Sequence, residues 1–251
     1  MSMLPFLLVS TRPEDVIAAE EHETFCRFSG LDPDQLHQIR LEQGEEATRE
    51  LAAVDLSRYS GVFVGGSPFN TSHPQAEKTA TQVRVELSLG ELLDRVMAQQ
   101  IPFFGACYGV GTLGVHQGGV VDGTYGEDVG AIEVTVTDDG AQDPLLADLP
   151  RTFHAYVGHK EAIRDLPPGA VLLATGINCP AQMFRVGPSA YATQFHPELD
   201  APALISRIEA YKHHGYFRVE DAEAVKQQVT DGPKVEVPSQ LLSAFVRVFA
   251  R

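Results

Sequence analysis

Three side chains able to carry out acyl transfer stand in two short stretches of the chain. The first is Gly105-Ala-Cys107-Tyr-Gly109, which follows a short apolar run of strand character from Ile101 to Phe104. A cysteine with a glycine two residues to either side, between a strand and a helix, has the pattern of a nucleophile elbow. The sharp turn forces its central residue into a strained conformation, and glycine leaves the neighbouring backbones room to pass. The thiol then projects from the carboxyl end of the strand. It also sits at the amino end of the next helix, whose free N–H groups favour a thiolate and can hold an oxyanion. A buried structural cysteine between chance glycines is the competing reading of these residues alone.

The second stretch, Tyr191-Ala-Thr-Gln-Phe-His196-Pro-Glu198, shifts the balance. In extended backbone, residues two apart share a side, so His196 and Glu198 can project together. A thiol needs a base to take its proton, and the imidazole needs a carboxylate to orient it. Cys107, His196 and Glu198 supply all three roles and are the expected catalytic residues. Upstream, the apolar run Gly61–Val64 ends in Gly65-Gly66-Ser67-Pro68. Paired glycines there let backbone N–H groups face a ligand, although a tight turn is the simpler reading. Beside an elbow on a neighbouring strand they become candidates for an oxyanion hole.

These groups need a scaffold, and the patterning of the chain supplies one. Phe6–Val9 reads as a buried strand, with Thr11 as N-cap of a helix from Val16 to Phe28 that ends at Gly30. Gln35–Arg40 is a strand, 41–60 an acidic connection with a helical turn or two, and Gln75–Gln99 a helix broken near Gly90. Val110–Gln117 is a short helix. Strands are expected at 120–125, 131–137, 152–157, 170–174, 181–186 and 190–195. Alternation of strand and helix in the first half signals a parallel sheet, to which the strand-rich second half adds antiparallel strands. Residues 203–211, 220–229 and 240–249 read as helices, the last with Leu241, Leu242, Phe245, Val246 and Phe249 on one stripe that packs on the sheet. The whole, 1–251, is expected to be one domain with a helical extension from about residue 201.

Composition bounds the function. The 251 residues are 43% hydrophobic and 21% charged, ordinary for a globular protein with a sizeable core. A formal net charge of −15 argues against nucleic acid or an anionic membrane as partner. No apolar run approaches the ~20 residues that span a bilayer, and Met-Ser-Met-Leu-Pro-Phe lacks the basic head and apolar stretch of a signal peptide. Cys26, Cys107 and Cys179 are odd in number and far apart, which suits a reducing compartment, so a cytoplasmic location is expected. Adjacent His213 and His214 point apart on a helix and make a poor metal pair; no metal and no cofactor are expected. His159 is expected to support the wall of the site.

Together, Gly65-Gly66-x-Pro68, Gly105-x-Cys107-x-Gly109, Gly118-Gly119 and Gln194-Phe-His196-Pro-Glu198 resemble the class I glutamine amidotransferase domain. Gly158-His-Lys-Glu161 followed by Leu166-Pro167 is similar to that family's Ser-His-x-Asp segment, and Asn178-Cys179-Pro180 to the amidotransferase subunit of GMP synthetase. The resemblance runs from the first strand to about Asp200. It implies a flavodoxin-like three-layer α/β/α sandwich with a mostly parallel central sheet, hydrolysing the side-chain amide of glutamine through a cysteinyl thioester. It further implies Cys107 as nucleophile, His196 as base and Glu198 as its orienting partner, with the N–H groups of Gly66 and Tyr108 as oxyanion hole. Gly65, Gly111 and the backbone at Tyr156 and Val157 would contact substrate.

The chain departs from the family pattern where substrate is held. The family's Cys-x-Gly-His-Gln is here Cys107-Tyr-Gly-Val110-Gly111, and losing the glutamine side chain removes a polar contact worth roughly 1.5–3 kcal/mol. Gly158 replaces Ser and Glu161 replaces Asp. Either glutamine is bound differently or the substrate is another γ-glutamyl small molecule. The sequence also lacks a Gly-x-x-x-x-Gly-Lys-Ser/Thr phosphate loop, so an ammonia acceptor would sit on a separate synthetase subunit. A freestanding γ-glutamyl hydrolase or peptidase, and a regulatory module that no longer turns over glutamine, are the alternatives.

Overall fold

The structure, a computed structural model, describes residues 3–251; Met1 and Ser2 of the opening stretch lie outside the described residues. Strand and helix alternate through β1 (Phe6–Ser10), α1 (Asp15–Ser29), β2 (Leu36–Arg40), α2 (Glu45–Ala53), β3 (Gly61–Val64), α3 (Ala80–Gln99), β4 (Phe103–Ala106) and α4 (Tyr108–His116). The chain then becomes strand-rich: β5 (Val120–Asp122), β6 (Glu127–Val136), β7 (Thr152–His159), β8 (Ala162–Asp165), β9 (Val171–Gly176), β10 (Met183–Val186) and β11 (Ala190–Thr193). Three helices follow, α5 (Ala201–Ala210), α6 (Ala222–Asp231) and α7 (Gln240–Phe249).

Nine strands form one sheet in the order β2-β1-β3-β4-β11-β10-β9-β6-β7, while β5 and β8 pair separately. The five strands from β2 to β11 are parallel, and the remaining four add on antiparallel. This is the mixed sheet of a flavodoxin-like α/β fold. Because strand side chains alternate, each central strand feeds two cores. Phe6, Leu8, Phe63, Phe104 and Tyr191 face α1 and α7, whereas Leu7, Val9, Val62, Val64 and Phe103 face the helices opposite. The α7 stripe packs as its spacing predicts. Phe245 is fully buried, with its ring within 5.2–6.4 Å of those of Phe6, Phe63, Phe104 and Tyr191.

Some expectations are corrected. Thr11 does not cap α1; Glu14 holds that position and the Thr11 hydroxyl donates instead to the Gly66 carbonyl at 3.2 Å. Helix α3 runs unbroken through Gly90, where an added Cβ would meet nothing within 4 Å, and begins only at Ala80 under a Thr79 cap. The acidic connection holds the nine-residue α2, and 162–165 is a strand where none is expected. Among the described residues no helix is long and apolar enough to cross a membrane, and no group of three or more His, Cys, Asp or Glu could hold a metal.

Candidate active site

In an open parallel sheet, functional groups gather beyond the carboxyl ends of the strands. Here β1 runs into Arg12, β3 into Gly66 and Ser67, β4 into Cys107, and β11 into His196.

Cys107 sits at the turn between β4 and α4 with φ 51° and ψ −89°, a positive φ that a side-chain-bearing residue adopts only under strain. Such a conformation costs on the order of 1–3 kcal/mol and persists where its surroundings hold it. Here the Cys107 N–H donates to the Thr193 carbonyl at 2.7 Å and its carbonyl accepts from Val110 N–H at 2.9 Å. Gly105 is required at this elbow. A Cβ there would lie 2.7 Å from the Cα of Gly109, backbone against backbone. Gly109 is needed as the flat surface Gly105 packs on, since its own added Cβ would meet nothing closer than 3.6 Å.

His196 is buried, tied by its N–H to the Tyr156 carbonyl at 2.9 Å, with Nδ1 2.7 Å from Glu198 Oε1, and it lines the same cavity as Cys107. Burial lowers the imidazole pKa, but Glu198 and then Cys107 outweigh it and raise the value to about 9. Burial likewise pushes the Glu198 carboxyl up, and His196, followed by Arg207, overrides it to hold the group at about 2. The pair is therefore imidazolium and carboxylate at neutral pH.

Behind the pair lies a buried charge network that the sequence reading missed. Glu21 accepts from Ser10 Oγ at 2.6 Å and Arg12 Nε at 3.2 Å, while Arg207 stands 3.8 Å from Glu21 and 3.6 Å from Glu198. Two arginines are matched by two glutamates, so neither carboxylate is left buried alone. The signal available was in α5, where Leu204, Arg207, Ile208 and Tyr211 share one helical stripe with an arginine in its middle.

The glycine pair is explained by this network. A Cβ at Gly65 would lie 2.5 Å from Glu21 Oε1, and one at Gly66 would lie 2.5 Å from Arg12 Nη2 and 2.9 Å from His196 Cε1. Gly65 N–H donates to the Val9 carbonyl at 3.2 Å, so this residue admits Glu21 rather than facing a ligand. The N–H groups of Gly66 and Tyr108 take no part in the hydrogen bonds among the described residues, which leaves both free for an anionic oxygen. Val157 borders the cavity beside the thiol, whereas Tyr156 is turned into a small core with Leu199, Leu204 and Ile208, and its carbonyl is engaged by His196.

Gly111 also has a packing reason. A Cβ there would lie 2.5 Å from Thr71 Oγ1 and 3.3 Å from Glu161 Oε1. Thr71 fills the space, pinned by Glu161, whose two oxygens accept from the N–H groups of Thr71 and Ser72 at 2.7 Å each. His159 steadies this wall, one ring nitrogen 2.9 Å from the Glu161 carbonyl and the other 3.0 Å from Glu127.

A strained thiol at a helix N-terminus, a carboxylate-held imidazole on the same cavity wall, and two free N–H groups can form and break an acyl-thioester. The sheet is that of a flavodoxin-like α/β fold, with a thiol, an imidazole and a carboxylate gathered beyond the carboxyl ends of its strands. The family model "Glutamine amidotransferase class-I" matches residues 35–203, and the chain belongs to that family. Among curated relatives, it is 28% identical over 146 residues to the glutamine-hydrolyzing GMP synthase of Klebsiella pneumoniae, covering 56% of this chain and 25% of the relative. It is 33% identical over 125 residues to that of Lacticaseibacillus casei, covering 49% and 23%. The chain thus spans about a quarter of the length of these relatives. Its fold is shared with a glutamine amidotransferase from Thermotoga maritima (TM-score 0.74, 22% identity, 98% of both chains). A second, from Methylobacillus flagellatus, gives TM-score 0.66 at 14% identity over 98% of this chain and 94% of that one.

Proposed function

We propose that this class I glutamine amidotransferase hydrolyses a γ-glutamyl amide, glutamine in the first instance, through a thioester on Cys107. The observation that carries the reading is the buried His196–Glu198 pair at 2.7 Å on the wall of a cavity shared with a thiol held at positive φ. Cys107 Sγ, its proton passed to His196 to make the imidazolium, attacks the γ-carbonyl carbon, and the developing oxyanion turns toward the N–H groups of Gly66 and Tyr108. His196 gives the proton it holds to the departing nitrogen, so ammonia leaves and the acyl group stays on sulfur. Water, its proton taken by His196, then releases glutamate and restores the thiol.

The ammonia would pass to a synthetase that activates the acceptor, a reading supported by the match to glutamine-hydrolyzing GMP synthases. The test is intact-mass analysis after exposure to 6-diazo-5-oxo-norleucine, an electrophilic mimic of glutamine. Labelling that disappears in Cys107→Ala and is blocked by excess glutamine is the expected result. An unlabelled Cys107 that an ordinary thiol reagent still reaches would refute the reading.

A further inference from the structure

The thiol of Cys107 lies between two cavities that differ in the groups around them. One, with about 20 Å³ open to the centre of a water-sized sphere, is bordered by Tyr108, Gly111 and Glu161; the other, with about 50 Å³, is bordered by His196 together with Val129, Leu204, Ile208 and Phe217. Ser67, Gly158 and Tyr216 border both. Cysteine acyl transfer decides which half of a substrate goes where. The imidazole that receives the thiol proton hands it to the departing nitrogen, so that nitrogen must lie on the imidazole side of sulfur. Only the larger cavity has His196 on its wall. The acyl half therefore belongs in the smaller cavity, and the leaving amine faces the larger one.

Ammonia does not need that chamber. About 10–15 Å³ of space for the centre of a water-sized sphere holds one small molecule, against about 50 Å³ on the imidazole side of Cys107. The chamber is also built as an apolar one. Leu204 and Ile208 come from α5, Phe217 from the segment after it, and Val129 from β6. Gly158 is what lets Val129 lean in, because a Cβ there would lie 2.9 Å from Val129 Cγ2. Serine, the residue of the resembled pattern, would push that wall away. Leu204, Ile208 and Phe217 lie beyond residue 203, outside the stretch matched by the family model.

We propose that the preferred substrates are secondary γ-glutamyl amides whose amine carries an apolar group, seated between Val129, Leu204, Ile208 and Phe217. The proposal rests on the thioester reading above. The carbon–sulfur bond forms at Cys107, the carbon–nitrogen bond breaks as the His196 proton passes to nitrogen, and the apolar amine departs. Water then converts the thioester to glutamate and free thiol. The amine can be a simple alkylamine or the amino group of an apolar amino acid, whose carboxylate would meet Arg12 and Arg207 on the same wall.

The test compares kcat/KM of the full chain on glutamine and on γ-glutamyl methyl-, propyl- and butylamide. The expected result is a rise of about fourfold for each methylene that enters the cavity, carrying the longer amides past glutamine. Phe217→Ala opens the wall and lowers the ratio of butylamide to glutamine turnover; should this variant fail to fold, the substituent series on the natural chain decides alone. γ-Glutamyl 3-methylbutylamide against γ-glutamyl-leucine, the same apolar group without and with a carboxylate, identifies the source of the amine by which is faster. Glutamine turned over while every substituted amide is rejected overturns the proposal and leaves the thioester reading standing. No turnover of any of them, with Cys107 unlabelled by 6-diazo-5-oxo-norleucine, sinks both.

Discussion

Replacing Glu198 by glutamine keeps the shape of the site and removes one charge from it. Glu198 is fully buried, 2.7 Å from His196 Nδ1 and 3.6 Å from Arg207 Nη1. In the natural protein its charge is the foremost influence opposing burial at His196 and holding the imidazole at about 9 instead of 6.5. That interval corresponds to about 3 kcal/mol of preference for imidazolium at neutral pH, which Glu198 and Cys107 supply together against burial. In Glu198→Gln burial is no longer offset by the carboxylate, so the imidazole becomes neutral at lower pH. Arg12 and Arg207 then share the single carboxylate of Glu21, and breaking a buried pair in this way costs about 3–5 kcal/mol of stability.

Two assays follow the charge. Urea unfolding at pH 7 should show the lower midpoint with an unchanged slope, and the pH profile of Cys107 alkylation by iodoacetamide should lose its plateau of imidazolium-assisted reactivity. The pH dependence of stability has a defined sign. His196, raised above its unfolded value, stabilises fully below pH 6.5 and loses that contribution as pH climbs through about 9. Glu198, depressed below 4.5, stabilises fully above that pH and loses its contribution as pH falls through about 2. Glu198→Gln should flatten both limbs. An unfolding midpoint and an alkylation profile indistinguishable from those of the natural protein would refute the reasoning.

Gly66→Ala puts a methyl 2.5 Å from Arg12 Nη2 and 2.9 Å from His196 Cε1, and a displaced imidazole should slow glutamine hydrolysis on the order of 100-fold with the fold retained, as read by kcat and circular dichroism. Gly111→Gln, which restores the family residue, should weaken activity because Thr71 Oγ1 already lies 2.5 Å from where its Cβ would go, and the double variant with Thr71→Ala should recover it; improved kinetics in the single variant would contradict the packing account. Phe245→Ala empties a fully buried position between four aromatic rings and should lower stability by about 3–5 kcal/mol in urea titration, whereas a loss under 1 kcal/mol would mean that α7 is dispensable to the core.

The elbow and the His-x-Glu pair were legible in the sequence because their constraints are local. Gly105 must clear Gly109 four residues away, and His196 and Glu198 share a side of one extended segment. The alternation along β1, β3 and β4 likewise announces a sheet covered on both faces, and the stripe on α7 announces a packed helix. What lay beyond reading was contact between segments far apart in the chain. Nothing near Gly65 indicates that it faces Glu21, nor near Gly111 that Thr71 fills its space. Arg207 interrupts an apolar stripe, which marks it as unusual, but its neighbours Glu21 and Glu198 come from α1 and the end of β11. The placement of Cys107 at the turn, of His196 beside Glu198, and of the strand–helix scaffold was readable in the chain, since these follow from backbone geometry over a few residues. The charge network and the chamber beside His196 come from contacts between segments far apart in the chain. Burial and electrostatic balance depend on which distant side chains the sheet order brings within a few ångströms.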